Sequence, residues 1–88
     1  IVTDARLTKT EALQVARMGG QGLARHIAPF NTPFDGDMVL CFSLGDLTVH
    51  PLHLGVLAGQ AASRALLNAV RFAHALGGIP ASPLASEP

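Results

Sequence analysis

The chain has 88 residues, 49% of them apolar and only 14% charged, with six basic side chains balancing six acidic ones. A chain of this length makes one domain or part of one, and buries roughly three-fifths of its unfolded surface. Zero net charge and the absence of Trp and Tyr exclude a nucleic-acid footprint and a stacking platform for single strands, while so much apolar surface over so little charge points to burial against a partner.

Ile1-Val2-Thr3 reads as the tail of a β-branched strand. The opening at Ile1 rather than Met, with no basic n-region and no signal-peptide pattern, is expected of a processed product or of a piece of something longer. Asp4 and Arg6 fall in the exit loop. Thr8-Lys9-Thr10-Glu11 fits a capping box, with Thr8 at the N-cap and Glu11 reaching back to its amide. The helix that follows carries Leu13, Ala16, Gly20, Leu23 and Ile27 on one stripe. Gly19, Gly20 and Gly22 each cost that helix about 1 kcal/mol relative to alanine, and close approach of another backbone is the expected compensation, ahead of a kink. Pro29 ends the helix and pushes Ala28 towards an extended conformation. His26, near the helix C-terminus, is read as a surface or capping residue.

The centre of the chain is Asn31-Thr32-Pro33-Phe34-Asp35-Gly36-Asp37, running into Met38-Val39-Leu40-Cys41-Phe42-Ser43. Pro33 biases Thr32 towards an extended backbone, and Gly36 is expected to let the chain turn sharply between two aspartates. Met38 to Phe42 shows no polar alternation, so it reads as a central strand buried on both faces. Gly45 and Asp46 are expected to make a turn, and Leu47 to Pro51 a short extended connector. From about Leu52 to Leu76 the chain is rich in Ala and Leu. Gln60, Arg64, Asn68, Arg71 and His74 form a single narrow polar stripe, so this helix is expected to be buried on most of its surface. Its two arginines, with Gln and Asn on the same face, argue against a membrane span. Gly77-Gly78 stops it. The resulting order is strand, helix, strand, helix over residues 1–78, followed by a loose, flexible tail over 79–88. With so few strands, the sheet needs others from a preceding segment or a second chain.

His50-x-x-His53, with His26, His74 and Asp46, invites a metal reading, but no Cys pair accompanies it and Pro51 sits inside the pair, so connector histidines are preferred and no metal is expected. Ser43 and Ser63 are available for a serine-histidine-aspartate arrangement, yet no Gly-x-Ser-x-Gly elbow occurs. Gly19-Gly20-Gln21-Gly22 neither follows a strand nor precedes Lys-Ser or Lys-Thr, so it is no phosphate loop. Cys41, the only cysteine, reads as a small core residue, and its solitude fits a reducing, cytoplasmic compartment. Asp35 and Asp37 remain. In one cleft they could share a raised pKa or hold a neighbouring amine in its working position; the competing reading is an ordinary Asp-Gly turn.

Val2-Thr3-Asp4-Ala5-Arg6-Leu7, the run Ala16-Arg17-Met18 through Gly22-Leu23-Ala24-Arg25, and Thr32-Pro33-Phe34-Asp35-Gly36-Asp37 together resemble the short, C-terminal subunit of the DmpA-type aminopeptidases. These are the L-aminopeptidase D-Ala-esterase/amidase proteins, relatives of the β-peptidyl aminopeptidases. The resemblance covers nearly the whole chain up to about Leu76. It implies an α/β (α+β) fold in which this chain and a longer subunit from the same precursor intertwine in a four-layer α-β-β-α sandwich, and the heterodimers assemble further. It implies self-cleavage that exposes a Ser or Thr nucleophile a few residues ahead of Ile1, whose own α-amine serves as base. Peptides or amides are then the substrates, without a cofactor. Asp37 is implied as the carboxylate orienting the nucleophile's amine. Asp35, where characterised members often carry Ser, is a second candidate, and the oxyanion donor would come from the long subunit. An acyltransferase resembling ornithine acetyltransferase, whose short subunit is considerably longer, and a non-catalytic interaction subunit of the same fold are the alternatives.

Overall fold

The computed structural model describes residues 1–83 and 85. The chain is a mixed α+β unit ordered β1 (Val2–Ala5), α1 (Lys9–Ala24), β2 (Phe42–Leu47) and α2 (Pro51–Arg71), the alternation expected from the sequence. β1 and β2 form a two-stranded parallel sheet, with α1 in the crossover that a parallel pair requires.

Val2 lies opposite Phe42 and Thr3 opposite Ser43, but Ala5 lies opposite Leu47, so the register slips between Thr3 and Ala5. Ser43 spans the slip: its Oγ donates to the Ala5 carbonyl at 2.6 Å and accepts from the Leu7 amide at 3.0 Å. Gly45, expected in a turn, instead lies within β2, where an added Cβ would strike the Asp4 carbonyl oxygen. A glycine inside a strand marks such a close backbone approach as readily as a turn. Ser43→Ala would leave one part-buried donor and one part-buried acceptor unpaired, and a loss of about 1 kcal/mol is expected, read as a lower denaturant midpoint.

The strand also begins later than the apolar run does. Met38 to Cys41 lie outside β2, and within this chain Met38, Leu40 and Phe42 are exposed. Ile1 carries the ladder one residue beyond β1. Its carbonyl accepts from the Phe42 amide at 2.8 Å, and its amino group donates to the Leu40 carbonyl at 2.7 Å. Along the pair, Val2 (69% exposed), Phe42 (53%) and Leu44 (69%) share an open apolar face, while Ser43 and Gly45 turn inward.

α1 starts at the expected capping box, with the Glu11 amide donating to Thr8 Oγ1 at 3.1 Å and the Thr8 amide to Glu11 Oε1 at 2.8 Å. It ends at Ala24, before Ile27, the last residue of the predicted stripe. Val15, Ala16, Gly19, Gly20 and Gly22 are its buried residues, whereas Leu13 is half exposed. The expected close approach of a second backbone is borne out at Gly22, where a Cβ would run into the Gly59 carbonyl of α2; one on Gly19 would meet the Ile1 side chain, and one on Gly55 would run into Met18. The two helices thus cross almost backbone to backbone.

α2 is shorter than the predicted span to Leu76 and begins with Pro51 at its first turn, after His50, whose Nδ1 accepts from the Leu52 amide at 3.2 Å. Within this chain only Gly55 and Ala58 of α2 are buried, and Leu52, Val56, Leu57 and Val70 are exposed. This chain supplies α2 with one helical neighbour, which covers one side of a cylinder. Gly77 and Gly78 (φ 60 and 80) turn the chain between the bridged Leu76 and Ile79. Of the expected tail, residues 84 and 86–88 lie outside the described residues. Among the described residues no helix is long and apolar enough to cross a membrane.

Candidate functional site

Between α1 and β2 the chain folds into a loop whose anchor is Asn31. Its φ of 54 places it in the left-handed region that Asn tolerates better than most residues. The positive φ of this turn therefore belongs to Asn31 rather than Gly36, and a Cβ on Gly36 would meet only ordinary contacts, Asn31 Oδ1 at 3.5 Å and the Thr32 carbonyl at 3.6 Å. The Asn31 amide donates to Asp37 Oδ2 at 2.8 Å, closing the loop. Inside it, Thr32 Oγ1 accepts from the Asp35 amide at 3.1 Å and donates to the Asp35 carbonyl at 3.2 Å. The Pro33-Phe34 tip projects outward, with Phe34 fully exposed.

The two aspartates part company here. Asp37 lines an open hollow of about 250 Å³ against α1, together with Leu13, Arg17, Gln21, Phe30 and Val39. Asp35 is exposed and does not line it. The turn that separates them by one residue aims them differently, so a shared two-carboxylate cleft is not formed. One oxygen of Asp37 is committed to Asn31; among the described residues Oδ1 accepts no bond. A carboxylate fixed by one hydrogen bond with its second oxygen open is suited to holding an ammonium or amine donor.

Arg17, Gln21 and Asn31 were not singled out by the sequence as neighbours of Asp37. Arg17 and Gln21 lie one helical turn apart, a spacing that identifies a shared face but not what the face meets. Ser43 serves the sheet rather than chemistry. Ser63 is paired with His26, Nε2 to Oγ at 2.6 Å, across the two helices. Among the described residues no carboxylate completes a triad there, and no group of three or more His, Cys, Asp or Glu side chains is placed to hold a metal. Cys41 is a half-buried free thiol.

The parallel strand–helix–strand–helix unit carries Thr32-Pro33-Phe34-Asp35-Gly36-Asp37 on its crossover loop. The chain belongs to peptidase family S58, whose profile matches residues 1–82, and this bears out the resemblance. It is similar to uncharacterized aminopeptidases of Mycobacterium bovis, Mycobacterium tuberculosis (strain H37Rv) and Mycobacterium leprae, in each case with 32% identity over 95 residues and 91% of this chain covered. The aligned part is 28% of the first two relatives and 26% of the third, so the chain spans little more than a quarter of the curated relatives it matches. No solved structure matches it.

Proposed function

We propose that this chain is the short subunit of a self-processing aminopeptidase or amidohydrolase, whose nucleophile is a Ser or Thr a few residues ahead of Ile1. One observation carries the reading. The Ile1 amino group and carbonyl already follow the parallel ladder to Leu40 and Phe42, with Ile1 in register with Cys41. Continued backwards in that register, the fourth residue ahead of Ile1 comes alongside Asp37. An α-amine exposed by cleavage at about that point falls within reach of the open oxygen of Asp37. That amine takes the proton of its own hydroxyl as the oxygen attacks the scissile carbonyl, and then delivers it to the departing amine. Water hydrolyses the resulting ester and frees the acid. Asp37 holds the amine in place and favours its charged form while the proton is there.

The open apolar face of Val2, Phe42 and Leu44, and the exposed apolar side chains of α2, support burial beneath a longer subunit in a layered sandwich, with further assembly of the heterodimers. That subunit would supply the oxyanion donor and most of the substrate pocket. The test is the intact mass of every chain in denatured protein made from the complete gene, followed by assay on peptide amides. Two chains, the shorter beginning with Ser or Thr a few residues ahead of Ile1, together with amide hydrolysis are expected. A single uncut chain, or acetyl exchange between ornithine derivatives in place of hydrolysis, would overturn the proposal.

A further inference from the structure

The polar stripe of α2 has no part in the chemistry at Asp37. Gln60, Arg64 and Arg71 recur at near-whole turns on the side of α2 away from the buried Gly55 and Ala58. Arg25, the residue that caps the C-terminal end of α1, is brought up to this side. Arg25, Arg64 and Arg71 together line one open hollow of about 300 Å³ with Gln60, Ser63 and Asn68. Three of the chain's six Lys and Arg residues are thus gathered around a single space, and among the described residues no carboxylate lines it. Among the described residues none of the three guanidinium groups makes an ion pair.

We infer that this hollow is a binding site for a phosphate group, free or carried on a small molecule. Like charges collected around one hollow repel one another, and an anion seated between them replaces that repulsion with attraction. Guanidinium is the side chain whose fixed fork of donors matches phosphate oxygens in pairs. Of the neutral lining, Gln60 and Asn68 carry amide donors and Ser63 a hydroxyl, while Leu67 is apolar. Ser63 is held by His26 at 2.6 Å; when His26 donates in that bond, the Ser63 proton is released towards the hollow. A stripe on one helix would recognise any polar surface. Convergence of α2 and the end of α1 on one hollow that arginines dominate selects a compact anion of more than one charge.

The experiment is isothermal titration of the complete protein with inorganic phosphate, with pyrophosphate and with a phosphate monoester. Saturable binding of at least one of them is expected, weakening as salt is raised and falling roughly tenfold or more in Arg64→Gln. Asn68→Asp, which adds a carboxylate at an exposed helical position while leaving every arginine in place, is expected to abolish it. Arg6→Gln, outside the hollow, is expected to leave it unchanged. The better binder among the probes distinguishes a free phosphate from one on a small molecule. Absence of saturable binding to all three probes overturns the inference, as does binding that persists in Asn68→Asp. An unliganded wild type whose Arg64→Gln variant loses subunits on size exclusion also overturns it, because the arginines would then belong to a protein interface.

Discussion

Asp37→Asn in the complete protein is expected to lower turnover of a peptide amide about a hundredfold or more, the scale on which positioned acid–base groups act, while the subunits stay folded and assembled. The substitution is chosen for the bond it keeps. Asp37 Oδ2 accepts from the Asn31 amide at 2.8 Å, and an asparagine carbonyl oxygen can accept from it in the same position. The loop therefore retains its closing bond, and what is removed is the negative charge proposed to hold the nucleophile's amine. Asp35→Asn is the matched control. Its carboxylate is exposed and away from the hollow, and the two bonds that fix the turn there run through its backbone to Thr32. That variant is expected to stay within a few-fold of the parent. Steady-state kinetics on both, beside size-exclusion profiles, decide the matter: near-normal turnover of Asp37→Asn would remove the assignment, and equal losses in the two variants would show that the carboxylates act as a pair.

Opposite signs are expected for two alanines placed two residues apart on α1. In Gly22→Ala the new methyl group meets the Gly59 carbonyl and main chain, which cannot move aside unless the helices separate. A loss of about 3 kcal/mol, at the upper end for overpacking, is expected. In Gly20→Ala the methyl finds Val39 at 3.6 Å and the Phe30 ring at 3.7 Å, ordinary contact distances. The helix then keeps most of alanine's intrinsic advantage over glycine, about 1 kcal/mol. Denaturation of the complete protein carrying each variant reads both signs at once, and a destabilised Gly20→Ala together with a neutral Gly22→Ala would mean that the helices cross elsewhere.

These glycines show how much of the fold the sequence carries. Three glycines within one turn of a helix are unfavourable unless something approaches closely, so the need for a neighbouring backbone was legible; that Gly55, Ala58 and Gly59 of α2 provide it was not. The capping box at Thr8 and Glu11 was legible because its two bonds close within a single turn. The Asp-Gly-Asp loop and its matching flanks were legible as a family pattern, but the split between an Asp37 on the hollow and an Asp35 outside it was not. That split depends on the left-handed Asn31, six residues away, to which Asp37 is bonded.

By itself, the sequence determined the order of the elements, the start of α1, membership in a peptidase family and the two aspartates to be considered. All of these rest on signals that act within a few residues: caps, prolines, periodicity and short motifs. Tertiary structure alone decided why Gly45 is a glycine, which aspartate faces α1, and that Arg25 joins Arg64 and Arg71. Each of those outcomes depends on a second stretch of backbone arriving alongside the first. A glycine's missing Cβ matters only where another chain segment fills the space, and a charge acquires its neighbours only when the helices cross.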